Sequence, residues 1–435
     1  MTPDSASALL QPLLEQARQC AQTGAGVEAA ALYGRILAQA PDHAEALDFM
    51  GLQALAAGHV PQSIAYFERA LATQPQNAAT WKNLALAQAA LGKFDEALKA
   101  LDRALELAPL FPAAWLNKGA ILEQSGEEEK ALGAYLQALG QAEQTGMEQQ
   151  GNVAPPRVTA LLQRARAITR DARKRWIYRA LEPLRDAHGD EALARVDRCI
   201  ESHFSASPER PQQRLHYPTF LYFPGLPERG WFDRADFPWL EKIETHTNEI
   251  RQELGSVLGG DEGFRPFVEI PRDLSGAEYW REVNQSPNWN AFFFYRDGER
   301  HEENCRRCPV TAAALDSIPI SRVAEHSPEA FFSVLKPGVH IPIHTGVVNV
   351  RLVTHLPLVI PPDCGIRVNG EARGWNEGEC IVFDDTFEHE AWNGSDTTRV
   401  VLIFDIWNPR LTEVEQQAMK IVIEGFSGFR HAYEG

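Results

Sequence analysis

Three residues toward the C-terminal end carry side chains that can do chemistry together: His344, His389 and, ten residues after the second histidine, Arg399. A neutral imidazole is a ligand for a divalent metal, and a guanidinium fork is the natural partner of a carboxylate. Two imidazoles on one ion, with an arginine beyond them, suit an oxygenase that holds ferrous iron and grips the far carboxylate of a keto-acid cosubstrate. The flanking strings HTGVVNVRLVTHLPLVIP (344–361) and FDDTFEHEAWN (383–393) make the order His, His, Arg more specific than its spacing alone.

Such residues need strands to aim them. FFSVLKPGVHI (331–341), NVRLVTHLPLVI (349–360), GIRVNGEARGW (365–375), ECIVFDD (379–385) and TTRVVLIFDIW (397–407) read as strands, and Asn369-Gly370 reads as a two-residue hairpin turn. PWLEKIETHTNEIRQELGSVL (238–258) and CPVTAAALDSI (308–318) read as helices ahead of them. Closely spaced strands with short turns predict a sandwich or jelly roll, which suits a metal site in its mouth.

The first third of the chain repeats. Gly24, Gly58, Gly92 and Gly126 are spaced by 34, as are Pro41, Pro75 and Pro109, Trp81 and Trp115, and Ala70, Ala104 and Ala138. A 34-residue unit with glycine in a turn, a small residue at a helix crossing and a closing proline resembles the tetratricopeptide repeat. WKNLALAQAALGKFDEALKALDRALELAP (81–109) is close to that consensus, and the unit before Pro41 is degenerate. One apolar face per helix pair must stack on its neighbours, which predicts an α-solenoid with a concave groove. Residues 141–157, with Pro155-Pro156, read as a linker; 158–187 and 191–204 read as amphipathic helices, and 205–214 as a boundary. The expected architecture is therefore multidomain α + β: a repeat domain at 1–140, a linker and bridging helices at 141–214, and a double-stranded β-helix (jelly roll, cupin-like) at 215–435.

At 435 residues, 44% hydrophobic and 23% charged, the chain has the make-up of a folded protein of two or three domains. Its net charge of −17 argues against nucleic acid or an anionic membrane as partner. No apolar run approaches a membrane span, and the first residues lack the pattern of a signal peptide. Six scattered cysteines form no disulfide framework, so the expected location is cytoplasmic. Cys305 and Cys308 form a lone CxxC, for which two ordinary cysteines opening a helix is the preferred reading over redox work.

Residues 215–425, most densely 331–412, resemble the aspartyl/asparaginyl β-hydroxylases, a family of 2-oxoglutarate-dependent iron oxygenases. The resemblance rests on H-T-G-x-x-N-x-R-L-x-x-H-L, then W-x-x-G, F-D-D-x-x-x-H-E and R-x-x-L-I-F-D-x-W-x-P, in that order. It implies His344 and His389 as the Fe(II) ligands. It implies Arg399, Ser333 and His355 as holders of 2-oxoglutarate, and Asp385 as an acid near the metal-bound water. In the larger oxygenase class a carboxylate follows the first histidine by two residues. Here that position is Gly346, and this family likewise leaves it to water.

The chain departs from the family at Val353, where members acting on Asp or Asn carry an arginine; Arg351, on the same strand face, is the candidate substrate contact. His340 falls on the expected face of His344 as a pocket neighbour, Asp384 points away, and Trp375, Gly378 and Trp392 shape the mouth or the core. The implied reaction uses Fe(II), 2-oxoglutarate and O2, releases succinate and hydroxylates a C–H bond. The expected target is the β-carbon of Asp or Asn in a peptide or protein recruited by the repeat groove, with a small molecule or carrier-bound amino acid as the fallback. Two alternatives stand beside it: a repeat scaffold whose jelly roll only binds, and repeats used for homo-oligomerisation.

Overall fold

The computed structural model describes residues 3–147, 156–260, 262–271 and 276–434. Residues 148–155 of the expected linker, Pro155 among them, lie outside the described residues. Two compact units divide the chain, one of residues 1–172 with 430–435, the other of residues 173–429.

In the first unit, helices Pro3–Gln22, Gly26–Gln39, Ala44–Ala56, Val60–Thr73, Ala78–Ala90, Phe94–Leu107, Pro112–Gln124 and Glu128–Gln144 pair in sequence. The register read from the 34-residue period is borne out by the backbone. Gly24, Gly58, Gly92 and Gly126 all have φ between 73° and 82°, the left-handed conformation that ends the first helix of each pair. Between the helices of a pair the approach is close. A Cβ on Gly51 or Gly119 would run into the ring of Phe67 or Tyr135, which explains a glycine inside a helix despite its cost of about 1 kcal/mol. Ala70, Ala104 and Ala138 are buried where the sequence placed helix crossings.

The second unit opens with the later part of helix Pro156–His188 and with helix Asp190–Phe204. Ile177, Leu181, Leu193, Val196 and Ile200 pack against Leu221, Phe223, Val350 and Met419 of the same unit. That shared core explains why the division falls after Ala172 and not in the polar 205–214 stretch.

Twelve strands follow among the described residues, all paired antiparallel. They are β1 (Trp231–Phe232), β2 (Phe264–Pro266), β3 (Trp289–Arg296), β4 (Glu299–Arg300), β5 (Ala330–Leu335), β6 (His340–His344), β7 (Arg351–Val359), β8 (Cys364–Val368), β9 (Glu371–Arg373), β10 (Ile381–Phe383), β11 (His389–Asn393) and β12 (Arg399–Trp407). The large sheet runs β1-β10-β7-β12-β5-β3-β2 with β4 beside β3, and the small sheet runs β6-β11-β8-β9. Apolar side chains of both sheets meet in one core, among them Leu335 and Val401 with Ile341, Ile366 and Val368. This is the jelly-roll arrangement expected from the sequence.

Two strand readings need correction. The 331–341 segment is two strands in different sheets, β5 and β6, because Lys336-Pro337-Gly338 turns the chain with Gly338 at φ 70°. β3, a central member of the large sheet, was not singled out: WNAFFFYR is almost continuously apolar and buried, so it shows no period-2 alternation. Asn369 and Gly370, at φ 51° and 77°, form the expected hairpin between β8 and β9.

Candidate active site

A cavity of about 350 Å³ opens between the two sheets, and it is lined by Ser333, His344, Gly346, Arg351, Val353, His355, Asp385, His389 and Arg399. The expected metal ligands, cosubstrate holders, acid and substrate contact thus all reach one space.

The histidines arrive on the small sheet. His344 on β6 and His389 on β11 are directly opposite in the register, and their ring centroids lie 4.0 Å apart. Nδ1 of His344 donates to Pro342 O at 2.8 Å, and Nδ1 of His389 donates to Phe387 O at 3.0 Å. A carbonyl can only accept, so both protons sit on Nδ1 and both Nε2 atoms keep a lone pair. Burial pushes both rings below the ordinary histidine value, and the proximity of His344 lowers His389 further. Both are therefore neutral, the form that ligates a metal. Trp280 packs edge-on against His344 at 5.1 Å.

His340 is not a neighbour of this pair. Between β6 and β11 the pairing slips, with His389 opposite His344 but Ala391 opposite Ile341. The extra residue of this bulge reverses the parity of the strand, and His340 turns out to bond Glu390 Oε2 at 2.7 Å.

The large sheet supplies the other wall. Arg399 at the start of β12 is 1% exposed, and among the described residues no carboxylate pairs with it. Its Nη1 donates to Ser333 Oγ at 3.2 Å, its guanidinium lies 4.8 Å over the Trp375 ring, and its Nε has no partner. Burial lowers its pKa to about 10. Trp289 Nε1 also donates to Ser333 Oγ, at 3.0 Å. His355 on β7 is wedged between Phe383 and Trp375 with Nδ1 unpartnered, and burial, then Arg399, holds it neutral. An unneutralised buried guanidinium costs several kcal/mol, a cost that an incoming anion offsets.

Asp385 sits just beyond β10. A Cβ built on Gly346 would collide with its carboxylate, so Asp385 fills the space where a side chain at 346 would begin. Burial raises its carboxyl to about 7, against the pull of Arg351. Asp384 points the other way, as expected. It accepts from Thr386 N at 3.0 Å and from Thr386 Oγ1, and His216 Nε2 meets the same hydroxyl at 2.8 Å. This buried knot holds the turn that carries Asp385 toward the cavity.

These residues fit a single divalent ion held by two imidazoles. Both rings line one cavity, and Gly346, two residues after His344, brings no carboxylate of its own. Among the described residues no third His, Cys, Asp or Glu completes a cluster.

Arg351 lines the cavity but is engaged: its Nη1 bonds Asp405 Oδ2 at 3.0 Å and His326 O at 3.1 Å. Asp405 and Glu329, both in the cavity wall, were not anticipated. The period-2 face of β12, which puts residue 405 with 399, was the signal for Asp405. Nothing in the sequence pointed to Trp289, which lies on the overlooked strand. Cys305 and Cys308 are reduced and buried, their thiols pushed up to about 11 and about 12 by burial. Trp375 underlies Arg399, and Trp392 packs on Gly365.

Residues 244–409 match the family model for aspartyl/asparaginyl β-hydroxylase, and residues 50–109 and 82–144 match that for the tetratricopeptide repeat. An ornithine lipid ester-linked acyl 2-hydroxylase of Rhizobium tropici is 37% identical over 181 residues, which is 41% of this chain and 60% of that protein. Human aspartyl/asparaginyl β-hydroxylase is 30% identical over 202 residues, 46% of this chain and 25% of that protein. The mouse aspartate β-hydroxylase domain-containing protein 2 is 28% identical over 264 residues, 59% of this chain and 73% of that protein. The chain thus joins segments that match the tetratricopeptide repeat to a segment similar to the aspartyl/asparaginyl β-hydroxylases, and it spans 60% and 25% of the first two of these relatives.

Proposed function

We propose that the β-domain is a 2-oxoglutarate- and Fe(II)-dependent hydroxylase of a C–H bond. The observation that carries this reading is the pair of neutral, Nδ1-anchored imidazoles lining the same cavity as a buried arginine with no carboxylate partner among the described residues.

His344 and His389 would hold the ferrous ion by Nε2. Bound there, iron supplies the oxidative chemistry that couples decarboxylation of the keto acid by O2 to insertion of oxygen into a C–H bond. Arg399, steadied by Ser333 Oγ and stacked on Trp375, binds the far carboxylate of 2-oxoglutarate, and Trp289 fixes the Ser333 hydroxyl. His355 Nδ1, which meets no partner among the described residues, is a further contact for the cosubstrate. Asp385 orients water beside the metal position, and Phe267, Phe331, Ile366 and Ile403 keep the rest of the cavity apolar.

The repeats are a protein-interaction module, and we assign to them the recruitment of a peptide or protein substrate, with the β-carbon of Asp or Asn as target. Val353 and the lipid named in the Rhizobium relative favour a second reading, in which the hydroxylated group is an aliphatic portion of a lipid or of a small acylated amino acid. Succinate formation from 2-oxoglutarate by the purified chain, with and without His344→Ala, tests the common core of both. Turnover lost in the variant is the expected result; turnover that survives it removes the proposal.

A further inference from the structure

A second recess, of about 510 Å³, opens in the same unit between the end of helix Asp190–Phe204 and the chain from Pro208 to Tyr222. It shares no lining residue with the active-site cavity, and its size is that of a small-molecule site. Its wall is aromatic and basic, with His203, Arg210, Arg214, His216, Tyr217 and Phe220. The stretch bearing the last three is pinned along both edges: Tyr217 N donates to Thr386 O at 2.8 Å, and Phe220 N to Val347 O at 3.0 Å. Tyr217 and Phe220 are nonetheless 51% and 38% exposed, so much of each ring is open to a ligand.

The charges of this wall are unbalanced. Glu209, the acid of the lining, is engaged by Arg198 at 2.8 and 2.6 Å. Arg210 and Arg214 make no ion pair and no hydrogen bond among the described residues. A buried group gives a second, independent sign of a ligand. His216 is 2% exposed, and burial holds its ring neutral, with the pKa lowered to about 4. The Thr386 hydroxyl gives its proton to Asp384, so it accepts from His216 Nε2 at 2.8 Å. Nδ1 is left with a bare lone pair and no hydrogen-bond partner; Glu228 Oε2, 3.8 Å away, is itself an acceptor. An acceptor buried without a donor is costly, and an O–H brought by a ligand offsets that cost.

We infer that this recess binds a small anionic ring compound carrying a hydroxyl: Arg210 and Arg214 take its phosphate or carboxylate head, Tyr217 and Phe220 stack on its flat ring, and the hydroxyl donates to His216 Nδ1. Guanidinium forks match both kinds of head, and aromatic faces hold a ring at offset stacking distance. The site is separate from the cavity of Arg399 and stands whether or not the hydroxylase reading holds.

Calorimetric titration of the full chain with 4-hydroxybenzoate, 4-hydroxyphenyl phosphate, benzoate and neutral phenol reads this out without turnover. The tighter of the two hydroxylated anions identifies the head, and it is expected to bind about tenfold or more above phenol, as charge-assisted bonds to arginine require. Benzoate, which lacks the hydroxyl, is expected to bind several-fold more weakly than 4-hydroxybenzoate. The double variant Arg210→Gln, Arg214→Gln changes two exposed side chains; it is expected to lower the anion affinity about tenfold or more and to leave phenol within twofold. Arg399→Lys is expected to leave the anion affinity unchanged, which separates this recess from the cosubstrate cavity. Phenol binding as tightly as both hydroxylated anions overturns the inference, and that comparison needs no variant. Benzoate equal to 4-hydroxybenzoate, or an anion affinity that falls with Arg399→Lys and not with the double variant, overturns it as well.

Discussion

At the scale of single residues, the account turns on groups buried without their natural partners. Arg399 is the clearest. Charge-assisted hydrogen bonds contribute about 1.5–3 kcal/mol each, so Arg399→Lys, which loses the planar fork and the stacking on Trp375, is expected to raise the apparent KM for 2-oxoglutarate by about tenfold or more. Initial rates against cosubstrate concentration check this, and an unchanged KM would place the keto acid elsewhere. Glu329 makes a prediction about pH. Burial, reinforced by Asp405 and Asp297 against the pull of Arg296, raises its carboxyl to about 8 from an ordinary 4.5. The folded state therefore holds this proton more tightly than the unfolded chain. The stability it confers is complete below pH 4.5 and is lost as pH rises through about 8. Glu329→Gln should match wild type near pH 4.5 and exceed it by several kcal/mol, at most about 5, at pH 9. Thermal melts of the β-domain transition at the two pH values measure the difference, and equal gaps at both would deny the shift. These residue-level features were only half legible in the chain. His344, His389 and Arg399 stand in distinctive motifs and Asp405 shares the period-2 face of Arg399, whereas Glu329 gains meaning only when β5 and β12 lie side by side.

At the scale of elements, the small sheet sets the aim of the metal ligands, and one irregularity in it matters most. The bulge between β6 and β11 lets His344 face His389 while His340 turns to Glu390. Simple alternation over four residues put both histidines on one face; an inserted residue breaks that rule and leaves no mark in the local sequence. The turn after β6 is equally exacting. Gly346 has an ordinary backbone conformation but no space, because the Asp385 carboxylate occupies it. Gly346→Ala is therefore expected to displace Asp385, to cost about 1–3 kcal/mol from overpacking and to weaken metal binding. Chemical denaturation and equilibrium dialysis against Fe(II) test the two effects, and a variant indistinguishable from wild type in both would contradict the packing argument. The Asn369-Gly370 hairpin, by contrast, was readable outright, since two successive left-handed residues in a tight turn call for that dipeptide.

At the scale of the whole molecule, the chain is two bodies with two kinds of sequence signal. The repeats declare themselves by period: glycines at one register position share one backbone conformation, and alanines at another share one crossing. The β-domain shows no period and is legible through its motifs instead, which is why β3 escaped notice while the strands bearing the motifs did not. The division after Ala172 depends on which core helix Asp190–Phe204 joins, and a sequence of amphipathic helices does not specify that partner. Independence of the two bodies is testable. Gly92 has φ 73° with nothing within 4 Å of its would-be Cβ, so Gly92→Val strains the backbone alone, by roughly 1–2 kcal/mol. Scanning calorimetry should show a lowered transition for the helical unit and an unchanged Fe(II) affinity in the β-domain; a parallel loss of iron would mean that the two bodies fold as one.

The central claim is that two imidazoles, with no acidic protein ligand, hold one ferrous ion. Anaerobic equilibrium dialysis of the full chain against Fe(II), with wild type, His344→Ala, His389→Ala and Asp385→Asn side by side, measures it most directly. The account predicts one iron per chain in wild type, none in either histidine variant, and iron still bound, with reduced affinity, in Asp385→Asn. Iron retained after loss of either histidine would contradict it.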